Sequence, residues 1–217
     1  MKQKPIILVG GGGHCRSVID IIEEAGNYSI VGITDKQEKI GEIVSGYKIF
    51  AEDERLPELI KKYKHCVVTV GQLKSAKLKT KLFQFVNESG AKLPVISSTR
   101  AYISKNAEIG KGTVIMHGAI VNAGASVGEN CIINTNAIIE HDAKIGDHTH
   151  ISTGAVVNGH STVGSRTLIG SGCVVLQQVS IGDDIIVGAN STVIEDLSET
   201  GVYVGSPTKK VHSQNEH

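Results

Sequence analysis

The sequence predicts two folds in series: a small α/β unit over residues 1–98, then a parallel β-helix of hexapeptide turns over residues 99–194. Residues 195–217 read as a cap and tail. Two observations carry the β-helix. Every sixth residue from Ile103 to Val193 is Ile or Val, sixteen positions without a slip in register. Two places earlier the residue is small or slender in most turns, as in Ala119, Ala125, Cys131, Ala137, Ala143 and Thr149, with Val179 and Ile185 the bulkier exceptions. A fixed hexad marks a solenoid in which each hexad is one short strand plus a turn. A slower period sits on top: Ile/Val-Gly recurs at Gly110, Gly128, Gly146, Gly164 and Gly182, eighteen residues apart. Three hexads therefore make one coil of a triangular prism, with these glycines along one edge and the aliphatic residues inside. Coils stack at the ordinary strand spacing of about 4.8 Å.

The α/β unit follows from alternating strand and helix patterns, with a Rossmann-like parallel sheet as the expected core. Residues 5–10 read as a buried strand running into Gly10-Gly11-Gly12-Gly13-His14. Val18, Ile21, Ile22 and Ala25 fall on one helical face, and Gly26-Asn27 ends that helix. Tyr28 to Thr34 gives a strand closing on Asp35, and Tyr47-Lys48-Ile49 follows a looser stretch. Asp53 starts a short helix, His65 to Val70 is a strand ending at Gly71, and Leu78, Leu82, Phe85 and Val86 mark another helix. Leu93 to Ile96 is expected to close the sheet. Beyond Val193 the hexad fails, so residues 195–200 are expected to form a helix or turn capping the prism. Residues 202–207 are expected to lie extended along its outside, with frayed last residues.

The totals exclude several classes. Lys+Arg and Asp+Glu are 22 each, so no global field favours nucleic acid or an anionic membrane. Cys15, Cys66, Cys131 and Cys173 are scattered without metal or redox spacing, as expected of reduced thiols in a cytoplasmic protein. The opening apolar run, Ile6 to Val9, fits neither a signal peptide nor a membrane span.

The chemistry-bearing residues are few. A glycine loop between a strand and a helix is the context in which backbone N–H groups hold a phosphate. It departs from the dinucleotide fingerprint, because Cys15 occupies the third glycine position and Asp35 is a generic acidic match. A phosphorylated ligand other than NAD is the favoured reading, with a purely structural turn as its rival. His14 stands beside the loop. In the prism, His117, His148 and His160 read as solvated turn residues, whereas His141 is followed by Asp142. An imidazole near its ordinary pKa removes a proton at neutral pH, and a carboxylate on its other nitrogen fixes the tautomer. Gly159 lies eighteen residues on, one coil above, with an N–H suited to a developing oxyanion. His150 is expected near the same groove or on a neighbouring subunit. No serine or cysteine has a nucleophile setting, which favours direct attack over an acyl-enzyme. The dispersed histidines argue against a metal.

The hexapeptide prism resembles the left-handed β-helix of bacterial acyltransferases that use acetyl-CoA. The order is more specific. It runs from Gly10–His14 on a small α/β domain, through Ile138-Ile139-Glu140-His141-Asp142, Ile145-Gly146-Asp147 and His150, to Gly201–Pro207. Together these resemble the family of sialic-acid O-acetyltransferases and bacillosamine-pathway N-acetyltransferases over nearly the whole chain. The resemblance implies a homotrimer with active sites at subunit interfaces. By it, His141 is the catalytic base, Asp142 raises its basicity and Gly159 supplies the oxyanion amide. Acetyl-CoA contacts fall on His150, Ser171 and Ala189. Nucleotide-sugar contacts fall on Gly12, Gly13, His14, Asp35 and Gly71. Thr34 and Gln72-Leu73 depart from the pattern of relatives, which bears on sugar and base choice.

The expected reaction is acetyl-CoA-dependent N-acetylation of the 4-amino group of a UDP-linked 4-amino-4,6-dideoxy sugar, in surface glycan biosynthesis. O-acetylation of sialic acid is the alternative, and a GDP- or dTDP-linked acceptor a lesser one. A non-enzymatic scaffold that senses a nucleotide sugar is the reading from a different class.

Overall fold

The computed structural model describes residues 3–72 and 74–212. The N-terminal unit is a five-stranded sheet built from β1 (Lys4–Val9), β2 (Tyr28–Asp35), β3 (Ile43–Val44), β4 (Tyr47–Glu52) and β5 (His65–Val68), in the order β3-β4-β2-β1-β5. All pairings are parallel except the β3–β4 hairpin. Helices α1 (Gly13–Ala25), α2 (Leu56–Tyr63) and α3 (Lys77–Glu88) cover the two faces of this sheet, each contributing to one of two apolar layers. The face of α3 differs from the one read in the sequence. Lys79, Leu82, Phe83 and Val86 are buried, whereas Leu78 is 51% exposed.

The remaining strands form a left-handed parallel β-helix. Its second face stacks Tyr102–Ile103, Ile120–Val121, Ile138–Ile139, Val156–Val157, Val174–Val175 and Thr192–Val193. Its third face stacks Glu108–Ile109, Ser126–Val127, Lys144–Ile145, Thr162–Val163 and Ser180–Ile181. Partners in every pairing of these two faces are eighteen residues apart, as Ile138↔Val156 and Lys144↔Thr162 illustrate, so no coil carries an insertion. The Ile/Val series and the small residues two places before it form one continuous core.

The face against which the α/β unit packs, here the docking face, runs longer than expected at both ends. It starts at Ile96–Ser97, which pairs with Val114–Ile115. The segment from Leu93 to Ile96 is therefore not the last strand of the α/β sheet, which is met there only by an isolated bridge between His65 and Lys92. At the other end, Gly201–Val204 pairs in parallel with Ile185–Val187, and Lys209–His212 adds an antiparallel strand. The expected external tail is thus a continuation of the sheet up to residue 212, and residues 213–217 lie outside the described residues. Residues 195–200 form no helix: Leu197 bridges Ile181, and Leu197 and Tyr203 are buried over the last coil. Two apolar side chains closing the prism remove the need for a capping helix.

A further regularity governs the corners. Every sixth residue from Gly112 to Asn190 has a left-handed backbone, with φ between 52° and 74°. Gly, Asn and Asp, which tolerate this region best, fill most of these positions, but His148, His160, Arg166 and Gln178 also stand there. The chain turns each corner through such a residue, so the side chains around it are held in a repeating direction.

The α/β unit docks through α1, whose Val18, Ile19 and Ile22 share a core with Ile96, Val114 and Met116 of the docking face. Polar contacts add to it. His117 bridges Ser98 (2.6 Å) and Asp20 (2.9 Å), Arg100 meets Glu24 at 3.1 Å, and Gln72 Nε2 donates to the Arg166 carbonyl at 3.0 Å.

Candidate active site

Viewed down the prism, His141 and Asp142 lie on the edge shared by the second and third faces, the edge opposite the docking face. His141 Nδ1 and Asp142 Oδ2 are 2.9 Å apart. That hydrogen bond, more than any other influence, holds the Asp142 carboxyl below the usual carboxylate range. An ionised carboxylate only accepts, so the ring proton sits on Nδ1 and the Nε2 lone pair is free. Nε2 faces Gly159: a Cβ at that position would stand 2.7 Å from it. Among the described residues the Gly159 N–H has no acceptor. The cleft around the pair is lined by Glu140, Asn158, Gly159, His160, Gln177 and Gln178. The eighteen-residue stacking read from the sequence thus does bring Gly159 over His141.

The same stacking brings His160 over Asp142, which the expectation of dispersed histidines missed. His160 Nε2 is 3.8 Å from Asp142 Oδ2, and its ring meets that of His141 edge-on at 5.1 Å. His117 and His148, read as solvated, do structural work instead. His148 bonds Asn130 at 3.0 Å and stacks edge-on against Phe83.

His150 does not share the His141 groove within the chain. It lies on the docking face, buried, and its Nδ1–H donates to the Gln72 carbonyl at 3.1 Å while Nε2 accepts from Asn134 Nδ2 at 3.1 Å. Burial, reinforced by the Lys79 cation, pushes its pKa down to about 3. Ser171 and Ala189 stack on the neighbouring edge, between the docking and second faces; the Asn190 N–H donates to the Ser171 carbonyl. Asn134, the partner of His150, belongs to that same edge. The three residues matched to acetyl-CoA are therefore grouped together, one edge away from His141.

The residues matched to the nucleotide sugar split into two adjoining pockets. One, of about 470 Å³, is lined by Gly10, Gly12, Asp35, Gly71 and an apolar wall of Leu78, Leu82 and Phe85. Gly10 and Gly11 are fixed by packing, since a Cβ would meet Val70 at 2.4 Å or Ile49 at 2.8 Å. Gly12 and Gly13 face open space at the start of α1, whose first turn carries no acidic residue. This is the arrangement that leaves N–H groups available to an anion. Asp35 is already engaged. It accepts from the N–H groups of Gly11 and Lys36 at 2.8 Å each and from Lys39 at 2.9 Å, so it shapes the loop. The other pocket is lined by Gly13, His14, Ser17, Gly71, Gln72, Asn134 and His150. His14 is partly buried, with its Nε2 closed off from solvent, and desolvation followed by the Lys79 charge lowers its pKa to about 4. Among the described residues, His14 Nε2 and Gln72 Oε1 have no hydrogen-bond partner. Leu73, the second half of the departing dipeptide, lies outside the described residues.

Asn134 and Lys79 join the site only through the fold. Nothing in the sequence marks Lys79, because a lysine on an amphipathic helix ordinarily reads as solvated. Here it is 1% exposed and donates to the Asn130 carbonyl at 2.9 Å.

Comparison with known proteins agrees with both halves of this architecture. Residues 5–84 match the PglD N-terminal domain, and residues 124–159 and 160–195 match the bacterial transferase hexapeptide (six repeats). Each half of the chain thus matches a known domain, and the combination is the one found in PglD-like hexapeptide-repeat acyltransferases. A structure of PerB from Caulobacter crescentus, in complex with CoA and GDP-perosamine, is 29% identical with a TM-score of 0.89, covering 95% of this chain and 97% of that one. The acetyltransferase domain of PglB from Neisseria gonorrhoeae, in complex with acetyl coenzyme A, is 27% identical with a TM-score of 0.88, covering 97% and 100%. WeeI from Acinetobacter baumannii, 21% identical, shares the fold with a TM-score of 0.83 over 96% of this chain and 100% of that one. No curated protein matches the chain.

Proposed function

We propose that this enzyme transfers the acetyl group of acetyl-CoA to the 4-amino group of a nucleotide-linked 4-amino-4,6-dideoxy sugar. The similar structures with CoA, acetyl-CoA and GDP-perosamine support the class of both substrates. Uridine is the nucleoside that the family resemblance suggests, and guanosine the one in the similar complex. The open Gly12-Gly13 turn favours a diphosphate-bearing acceptor over a free nonulosonate.

In this reading the sugar amine attacks the thioester carbonyl carbon, His141 Nε2 takes a proton from the amine, and Asp142 holds the resulting imidazolium. The Gly159 N–H donates to the oxyanion. The C–N bond forms, the C–S bond breaks, and the CoA thiolate recovers a proton from His141 to leave as thiol. Holding both substrates in line supplies much of the acceleration.

One observation carries the assembly. The nucleotide pockets and the residues matched to acetyl-CoA sit on or beside the docking face, and His141 sits on the opposite edge. A single copy therefore cannot bring its own base to its own acceptor. A closed ring in which each copy offers its His141 edge to the next copy's docking side completes every site, and a homotrimer is the expected ring.

Mixing two inactive variants tests this. Gly12→Trp fills the pocket at a position where a Cβ meets nothing, and His141→Ala removes the base. After dissociation and co-assembly, about a quarter of the sites should pair an intact pocket with an intact His141. Recovery of acetyl transfer to that extent supports the shared site. No recovery in mixed assemblies, with both variants folded and co-assembled, would overturn it.

A further inference from the structure

We infer that the far corner of the prism is a chelating site for a divalent transition metal, of which Zn²⁺ is the probe, and that an ion there blocks catalysis. His141, Asp142 and His160 each point one donor atom into the same space, and these atoms all lie within 4.8 Å of one another. The set is two imidazole nitrogens and one carboxylate oxygen, the donor types of open three-ligand zinc sites. Two distances, 2.9 Å from His141 Nδ1 to Asp142 Oδ2 and 3.8 Å from His160 Nε2 to the same oxygen, already approach the separation of ligands around one ion. With metal–ligand bonds of about 2.0–2.2 Å, small side-chain rotations complete the site.

The backbone is what makes this a fixed constellation. Asp142 and His160 occupy equivalent left-handed corners one coil apart, with φ of 59° in both. The His160 N–H donates to the His141 carbonyl at 3.1 Å, tying the two corners together. His160 stands where most other corners have Gly, Asn or Asp, and its ring is directed onto the His141–Asp142 pair. All three side chains are at least half exposed, so an ion has a path and open coordination positions for water.

The block on catalysis rests on the proposed role of His141 as base. A neutral imidazole carries one N–H. With Nδ1 bound to a metal, that proton resides on Nε2, whose lone pair is then no longer available to accept from the amine. The ion also takes the Asp142 carboxylate away from the ring. Metal binding would thus give a dead-end form.

Untagged protein, without substrates, is titrated with Co²⁺ and followed by its visible d–d absorption. A saturable band of one equivalent per chain is expected, displaced by Zn²⁺ and lost in His160→Asn and in Asp142→Asn. In turnover assays Zn²⁺ should inhibit, with each variant referred to its own metal-free rate. His160→Asn should need at least about tenfold more Zn²⁺, since a lost ligand costs no less than a lost outer-shell partner. No saturable band, or a band and inhibition that persist in His160→Asn, overturns the proposal. A saturable band whose filling with Zn²⁺ leaves turnover unchanged keeps the metal site and removes His141 from its role as base.

Discussion

Two groups of histidines, in one chain, are held in opposite conditions. On the far edge His141 is exposed and bonded to an ionised carboxylate. At the docking face His150 is buried and the Nε2 end of His14 is shut off from solvent, both near Lys79 and with no carboxylate among the influences on them, and both are held neutral well below the ordinary histidine range. The difference shows that solvent access and the sign of the neighbouring charge decide what an imidazole can do. An exposed ring with a carboxylate can take up a proton during a reaction. A buried ring beside a cation stays neutral and can only give or accept a hydrogen bond.

The most severe way to break this contrast is His141→Ala. Turnover should fall by about 10²–10⁴-fold, the usual contribution of a general base, while acetyl-CoA affinity measured by calorimetry stays near the parent value. Retained turnover would remove the far edge from catalysis. Gly159→Ala should cost about 10²-fold in kcat, because the new Cβ pushes the His141 ring out of line. The ring is a free end able to move, so the melting temperature should change little. A large loss of thermal stability would mean that Gly159 serves the fold.

The docking-face pair is tested by acid. Folded pKa values near 4 and 3 lie below the unfolded value of 6.5, so between these limits the unfolded chain binds protons that the folded chain does not. The stability each neutral ring carries is present above 6.5 and lost as pH falls towards its folded pKa. From pH 7 to pH 5 the loss should be at most about 2 kcal/mol per histidine. Urea melts at the two pH values measure it, and His150→Asn should flatten the dependence. The smallest expected effect concerns the corners themselves. Asn136→Ala, at φ 56°, should cost about 1 kcal/mol, and Asn136→Gly close to nothing. Equal melts for the two variants would show that the left-handed corners carry no strain.

Much of the frame was legible in the chain. The hexad of Ile103 to Val193 and the glycines at intervals of eighteen specify strand, turn and coil, because an aliphatic residue every sixth position can be buried only by that winding. Placing Gly159 over His141 needed no more than counting. Counting by eighteen from Asp142 would equally have reached His160, but its reading as a solvated turn residue hid the signal. The corner periodicity was also present, as Gly, Asn, Asp or His at every sixth position, though the scatter of Arg166 and Gln178 through it obscures the pattern.

What the sequence determined by itself is therefore everything set by local repetition: the prism, its core, and the vertical neighbours of each corner. Which side of the prism the α/β unit covers was decided only in three dimensions. That depends on α1 sharing a core with Val114 and Met116, and on Lys79 entering a dry boundary to meet the Asn130 carbonyl. Such contacts join residues 51 or more positions apart and follow no period. For the same reason His150 could be read as a neighbour of His141 from its spacing, while the folded chain sets it on another face. Periodic burial is written residue by residue, but docking depends on shape and desolvation that exist only after both parts have folded.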